Sequence, residues 1–238
     1  MRDNDPHVSA ASPVVALIIP ALDEEAAIGP LLAAIDRTLI RDVIVGDNGS
    51  ADGTVAIARA HGAEVVHVAE RGYGAACAGA LRRLAYDVEI VLFMDADGSD
   101  DPAEIPRLLE PLFAGRADLV IGSRALGEVE PGALTPQQRF GNWLATRLIA
   151  RLYGHSYTDL GPFRAVRREL LDRIGMRDRR YGWTVEMQVR ALQLDARVTE
   201  VPVRYRKRVG ISKISGTVRG VALAGYWILR TIFSLRGQ

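Results

Sequence analysis

Asp95, Asp97, Asp100 and Asp101 crowd the end of an apolar run, residues 90–94, and so many carboxylates in one short segment call for a counter-charge. A hard divalent cation, Mg²⁺ or Mn²⁺, held by one or two carboxylates and completed by the oxygens of a bound diphosphate, supplies that charge and accounts for the Asp95-x-Asp97 spacing. A second reading needs no ligand: Asp100 or Asp101 caps the helix that Pro102 opens, and the segment is an acidic strand-to-helix turn. Zinc is not expected, because His7, His61, His67 and His155 are scattered and have no cysteine partners. The lone cysteine, Cys77, lies among Ala75, Ala76 and Ala78, which suits a buried thiol in a reducing compartment and excludes an internal disulfide.

A sheet must hold the acidic segment in place. Residues 14–19, 43–45, 65–68 and 90–94 are apolar runs separated by segments with helical spacing, such as Ile28, Leu31, Leu32, Ile35 and Leu39. That alternation predicts an α/β fold with a mostly parallel sheet and crossover helices. A fifth strand at 118–121 follows a helix whose inner face is Ile105, Leu108, Leu109 and Leu112. Ligands of such sheets sit outside the carboxyl ends of the strands, where loops 20–25, 47–54, 71–74, 95–100 and 122–124 all fall. After Arg124 the rhythm loosens into a loop at 127–136, a helix at 137–153, a polar segment at 159–164, a helix near 183–192 and a strand at 197–205. No repeat or low-complexity linker interrupts the chain, so residues 13–215 read as a single domain whose second part, from about 126, elaborates the first.

The termini differ in character from this domain. Residues 1–12 are polar and lack a basic start followed by an apolar core, so they read as a disordered tail and not a signal peptide, and a cytoplasmic protein is expected. Net charge is only +1, yet no Asp or Glu follows Glu200, while Arg204, Arg206, Lys207, Arg208, Lys213, Arg219, Arg230 and Arg236 do. The apolar stretch 221–229 falls far short of the ~20 residues that cross a bilayer. Over 216–238 an amphipathic helix places Val218, Val221, Ala222, Gly225, Ile228, Leu229 and Ile232 on one face. Two readings of that face stand side by side. One lays it in an interface rich in anionic lipid, making the protein peripheral on the inner face of a membrane; the other packs it on the domain or on a second copy in a homodimer. The near-neutral balance and the lack of interleaved basic and aromatic residues argue against nucleic acid.

Taken in order, the loops resemble those of family 2 glycosyltransferases of the GT-A fold, and within them the polyprenyl-phosphate sugar transferases typified by dolichyl-phosphate mannose synthase; the resemblance spans about residues 14–215. Pro20-Ala21-Leu22-Asp23-Glu24-Glu25 is similar to the first-strand motif Pro-x-x-Asn-Glu, with Asp23 in place of Asn, which implies that Pro20, Leu22 and Glu24 border the nucleobase and ribose. Asp47-Asn48-Gly49-Ser50-Ala51-Asp52-Gly53-Thr54 resembles Asp-Asp-Gly-Ser-x-Asp-Gly-Thr, which puts Asp47 at the base-binding carboxylate. A carboxylate there accepts from the imide N–H of uracil or from guanine, so the base stays open. Arg71-Gly72-Tyr73-Gly74 is similar to the segment near the ribose and diphosphate, with Gly74 beside free N–H groups at a helix start. Asp95-Ala96-Asp97 matches the Asp-x-Asp motif, which makes Asp97 the direct metal ligand and sets Asp95 nearer the ribose, with Ser99 where mannose synthases often carry Gln. Gly122-Ser123-Arg124, Arg139, Asp159 followed by Gly161-Pro162-Phe163-Arg164, and Arg208-x-Gly-x-Ser212-Lys213 resemble acceptor-side and phosphate-side elements.

The resemblance implies a GT-A domain with a nucleotide-sugar half at 13–125 and an acceptor half at 126–215. It also implies a Mg²⁺- or Mn²⁺-dependent, inverting, in-line transfer of a hexose from a UDP- or GDP-sugar, with a flexible loop at 124–140 closing over the donor. A phosphomonoester acceptor such as polyprenyl phosphate is already ionised at neutral pH, so arginines matter more than a base, and Arg124, Arg139, Arg208 and Lys213 answer that need. A hydroxyl acceptor instead requires a carboxylate base, for which Asp159 and Glu186 are the candidates. Trp183 stacks on a sugar or anchors the core, and Glu186 alternatively bridges Arg190. A reading of another class is a non-catalytic nucleotide-sugar-binding protein that kept the fold.

Overall fold

The computed structural model describes residues 12–210 and 218–237. Strand β1 (Val15–Ala21) is buried along its whole length and lies third in a seven-stranded sheet ordered β3-β2-β1-β4-β6-β5-β7. Its side chains alternate between two apolar layers. Val15, Leu17 and Ile19 join one, with Ile28 and Leu31 of α1 (Glu25–Ala33), while Ala16 and Ile18 join the other, with Cys77 of α3 (Tyr73–Leu81). A strand buried on both faces has no polar side to alternate, which is why it reads as a continuous apolar run.

Parallel pairing of β1 with β2 (Asp42–Asp47) and β4 (Ile90–Phe93), and of β2 with β3 (Glu64–His67), sends these four strands toward one carboxyl edge. Helix α2 (Thr54–Ala60) crosses between β2 and β3, and α4 (Ile105–Phe113) leads to β5 (Leu119–Ser123). Between β4 and β5 the sheet admits β6 (Arg164–Arg167), antiparallel to both, and β7 (Val198–Pro202) then pairs in parallel with β5.

Strand β6 and helix α6 (Arg168–Ile174) depart from the expected pattern, which had only a polar segment at 159–164. A four-residue strand with arginines at both ends carries too little apolar periodicity to register as one. Its burial comes from the neighbours it is inserted between. The expected long strand at 197–205 is shorter, because beyond Pro202 the chain leaves the sheet and Tyr205 makes single bridges to Asp100 and Val129.

Helix α5 (Pro136–Tyr153) starts at a capping box in which Thr135 and Gln138 satisfy each other's backbone N–H groups, and it ends at Gly154 in the left-handed region. Helices α7 (Trp183–Gln193) and α8 (Val218–Ser234) complete the second layer. Among the described residues no helix is long and apolar enough to cross a membrane.

One close approach sets the distance between sheet and helix behind the ligand edge. A Cβ on Gly46 of β2 would lie 2.3 Å from the Ala76 carbonyl oxygen of α3. Gly46→Ala is therefore expected to destabilise the domain by about 1–3 kcal/mol, as overpacking of a close-packed interior does. Urea unfolding of the two proteins measures it, and an unchanged midpoint would refute the argument.

Candidate active site

The carboxyl ends of β1, β2 and β4 and the start of α3 surround a cavity of about 350 Å³ lined by Pro20, Leu22, Glu24, Asn48, Arg71, Tyr73, Asp95, Asp97, Tyr181 and Arg208, among others. Its floor is the acidic turn after β4. Asp97 Oδ1 accepts from the Ser99 N–H at 2.9 Å and the Ser99 hydroxyl at 2.6 Å, while Oδ2 lies 3.3 Å from Arg208 Nη1. Asp100 Oδ2 accepts from the Asp95 N–H at 3.3 Å. Asp95 Oδ1 and Asp100 Oδ1 are shut off from solvent with no hydrogen-bond partner. Asp101 plays a different part, capping the turn through the Ala103 N–H at 3.1 Å and pairing with Arg206 at 2.5 Å. The capping reading of the acidic segment thus holds for Asp101; Asp95 and Asp97 line the cavity, and Asp100 is buried behind them.

Burial and crowding perturb Asp95 and Asp100. Burial, then the neighbouring Asp97 charge, pushes Asp95 up to about 7 against the opposing pull of the Tyr73 hydrogen bond, Arg124 and Arg208. Burial, then the charges of Asp95 and Asp97, pushes Asp100 well above the usual carboxylate range. Among the described residues no group of three or more His, Cys, Asp or Glu side chains forms a metal cage by itself. The pair Asp97 and Asp95, the latter with an orphaned Oδ1, fits a hard cation that takes one or two carboxylates from the protein and the rest of its shell from phosphate oxygens and water.

The loops are laced together before any ligand is considered. Asp23 adopts φ 50, a left-handed conformation that Asn and Asp tolerate better than most residues, and its Oδ1 accepts from the Ala51 N–H at 2.7 Å. The Glu24 N–H donates to Thr54 Oγ1 at 2.7 Å, and Gly53 donates to Glu25 Oε2 at 2.7 Å. Asn48 spans two loops: Nδ2 donates to the Glu70 carbonyl at 2.6 Å and Oδ1 accepts from the Gly72 N–H at 2.7 Å. Arg71 Nη1 donates to the Asn48 carbonyl at 2.6 Å. Arg208 closes the ring from the far end of the chain, pairing with Glu24 at 3.0 Å as well as with Asp97. It is carried there by a strap over the acidic turn, in which Arg206 and Val209 donate N–H bonds to the Ser99 and Asp97 carbonyls at 2.8 and 2.9 Å.

The expected site residues divide by where this geometry puts them. Pro20, Leu22, Glu24, Arg71, Asp95, Asp97 and Arg208 line the cavity. Asp47 does not; its carboxylate accepts from the Gly49 and Ser50 N–H groups at 3.2 and 3.0 Å and faces His67 Nδ1 at 3.1 Å. Burial pushes Asp47 up, but the bonds from Ser50, His67 and Gly49 prevail and hold it below the usual range. Gly74 packs where a Cβ would lie 2.4 Å from the Asp178 carbonyl oxygen. The N–H groups expected to be free at the start of α3 are not: Gly74 and Ala75 donate to the carbonyls of Arg180 and Arg179 at 3.2 and 2.9 Å, because the segment before α7 folds over that helix end.

The other described residues expected on the acceptor side lie outside this cavity. Arg124 grips Asp159 through two side-chain bonds of 2.7 Å and one backbone bond of 2.8 Å, and it stands 5.1 Å over the Tyr205 ring. Glu186 is buried, accepting from the Arg177 and Asp178 N–H groups at 3.0 and 2.6 Å and from Arg190 Nε at 2.9 Å. Arg139 is exposed on α5 and outside the cavity lining. Trp183 resolves as a core anchor, 1% exposed and edge-on to Phe93 at 6.3 Å. Ser212 and Lys213 lie outside the described residues. Reading the sequence missed Tyr73, Tyr181 and the bridging role of Asn48; only the closeness of Tyr73 and Asn48 to recognised motifs could have pointed to them.

A mostly parallel sheet reversed at one strand, with buried acids at the carboxyl end of its central β4, is the arrangement of a GT-A glycosyltransferase. The model of the family described as glycosyl transferase family 2 matches residues 16–175, and the chain belongs to that family. It is 39% identical over 223 residues to an uncharacterised glycosyltransferase of Mycobacterium tuberculosis, covering 91% of this chain and 98% of the relative. An undecaprenyl-phosphate mannosyltransferase of Micrococcus luteus is 33% identical over 222 residues, and a dolichyl-phosphate hexose transferase of Haloferax volcanii is 35% identical over 213; in both, 88% of this chain and 90% of the relative are covered. Among solved structures, glucosyl-3-phosphoglycerate synthase of Mycobacterium tuberculosis with Mn²⁺, UDP and glucosyl-3-phosphoglycerate superposes with TM-score 0.76 at 25% identity, covering 95% of this chain and 81% of that one.

The raised acids carry a pH signature with a definite sign. Asp95 binds its proton more tightly in the folded state, about 7 against an unperturbed value of about 3.9, so its contribution to stability is complete below about 4 and is lost as pH rises to about 7. Melting temperature is expected to fall across that window, less so in Asp95→Asn, and Mn²⁺ should raise it more near the top of the window than at the bottom. Thermal melts with and without Mn²⁺ test this; identical pH slopes for the two proteins would refute it.

Proposed function

We propose that this glycosyltransferase moves a hexose from a UDP- or GDP-sugar to a polyprenyl phosphate, with inversion and with Mg²⁺ or Mn²⁺ bound at Asp97 and Asp95. The metal, when bound, neutralises the departing diphosphate. Arg208 adds charge from the strap and Arg71 from the ribose side, while loop 20–24 and Asn48 border the nucleoside. Asp47 acts through the loop it holds. Arg124 supports the acidic cluster from behind, and Ser212 and Lys213 add donors for phosphate.

The observation that carries the acceptor class is the state of the two candidate bases. Asp159 is spent on Arg124, and Glu186 on two backbone N–H groups and Arg190; neither lines the cavity. A hydroxyl acceptor would need one of them free to take its proton, whereas a phosphomonoester arrives already ionised. Two relatives whose names specify undecaprenyl phosphate and dolichyl phosphate agree with that chemistry. The solved neighbour bound to glucosyl-3-phosphoglycerate supports a second reading, a soluble phosphorylated hydroxy acid. With a lipid acceptor and a water-borne donor, the reaction runs at a membrane surface, on the cytoplasmic side.

Transfer assays with UDP- and GDP-hexoses and Mn²⁺, offering polyprenyl phosphate and 3-phosphoglycerate in parallel, decide between them. The expected result is transfer to the lipid phosphate that survives Glu186→Gln within about tenfold and drops by about 10²-fold or more in Arg208→Ala. Transfer to 3-phosphoglycerate alone, abolished by Glu186→Gln, would reverse the assignment.

A further inference from the structure

The outer faces of α5 and α8 differ from the rest of the surface. Ile232 in the last turn of α8 and Leu235 just after it are buried in the domain, and Ile228 packs against the same layer. On the opposite side Leu223, Tyr226, Arg230 and Phe233 recur at i, i+3, i+7 and i+10, and the three apolar members are 41%, 58% and 53% exposed. A helix that already buries one apolar stripe ordinarily turns a polar face to water. Helix α5 repeats the pattern with Phe140 and Trp143, 61% and 52% exposed, stacked 5.8 Å apart. Of the nine exposed large apolar side chains among the described residues, five stand on these two helices. The helices touch, with the Tyr153 hydroxyl donating to the Ile232 carbonyl at 2.5 Å.

The charge on this face has one sign. Arg139, Arg147, Arg151, Arg230 and Arg236 are all exposed, and neither α5 nor α8 contains an Asp or Glu. Arg147 lies over Trp143 at 5.9 Å and Arg230 over Trp227 at 4.9 Å, so cations flank the aromatic rings. A second copy is a poor occupant, because a two-fold contact sets the patch against itself and would desolvate arginines against arginines with no carboxylate to receive them. A surface of anionic headgroups over hydrocarbon matches both properties.

We infer that the α5–α8 face docks on an anionic lipid bilayer, seating Phe140, Trp143, Tyr226 and Phe233 at the headgroup–acyl boundary with the arginines on lipid phosphates. This deepens, and takes its biological sense from, the lipid-phosphate reading above. Helix α8 also braces the wall of the donor cavity: Thr231 Oγ1 donates to Asp178 Oδ2 at 3.3 Å, and Arg180 lies 5.2 Å over the Trp227 ring, next to Tyr181 of the cavity lining.

Co-sedimentation of the full chain with vesicles of phosphatidylcholine alone, and of phosphatidylcholine with a minority of phosphatidylglycerol, tests the surface without donor or acceptor. Binding is expected only to the anionic vesicles, declining with salt. Trp143→Ala with Tyr226→Ala should weaken it by about tenfold or more, and each of Arg147→Ala and Arg151→Ala by about fivefold. Transfer to a short-chain, water-soluble polyprenyl phosphate should stay unchanged in all of them. Folded protein that ignores anionic vesicles overturns the inference, as does a concentration-dependent dimer broken by the same substitutions. Vesicle binding without any transfer to lipid phosphate would leave this face in place and remove the acceptor assignment alone.

Discussion

The structure turns on carboxylates that cannot all be ionised together without help. Asp95, Asp97 and Asp100 meet at the end of β4, two of them with an oxygen shut off from solvent and unpaired to protein. Burial raises the proton affinity of Asp95 and Asp100, and the neighbouring carboxylate charges add to the effect. The protein offsets part of this with Arg208 in front and Arg124 behind, and the remainder matches a divalent cation that arrives with a diphosphate. Each neighbouring element can be understood by what it brings to this point. Strand β5 delivers Arg124, helix α3 delivers Tyr73, and the strap after β7 delivers Arg208.

Holding the cations in place consumes many polar groups that a motif search would take for reactants. Asp159 orients Arg124, and Glu200 in turn holds the loop carrying Asp159 through the Thr158 and Asp159 N–H groups. Gln188 donates to the Asp159 carbonyl at 3.1 Å from α7, and Arg164 of β6 reaches the Thr184 carbonyl at 2.8 Å. Burial pulls Arg164 down to about 10, and its own carbonyl partners keep it satisfied on most of its guanidinium. The reversed strand β6 is thus the junction between the sheet and α7. A buried network of this kind rigidifies a site when its members are paired.

Segment 177–182 links the cavity edge to α8. Its Arg179 and Arg180 carbonyls meet the start of α3, and its Asp178 and Arg180 side chains touch α8. Glycine at 182 is required here, since a Cβ would lie 2.2 Å from Thr231 Oγ1. The cavity at the carboxyl edge and the aromatic, arginine-rich face on α5 and α8 are therefore connected by a few residues, as the proposed transfer from a dissolved donor to a lipid phosphate would require.

The amino-acid sequence by itself determined the class of fold and the centre of the site, because both depend on local pattern. Doubly buried strands must be apolar runs, crossover helices must show helical spacing, and loops at the carboxyl edge then share one place whatever the packing in between. Asp95, Asp97, Glu24 and Arg71 stand on those loops and line the cavity for that reason, whereas Arg208, which lines it too, was expected there only from the family resemblance. Tertiary structure decided what depends on contacts between distant segments. It admitted β6, whose four residues have no periodicity of their own; it tied Asp159 to Arg124 and Glu186 to a backbone turn; it covered the N–H groups at the start of α3; and it left Phe140 and Trp143 outside. A carboxylate's spacing can announce a counter-charge, but only the folded neighbours decide whether that charge is a metal, an arginine or an N–H group, since each is supplied from elsewhere in the chain or from the ligand.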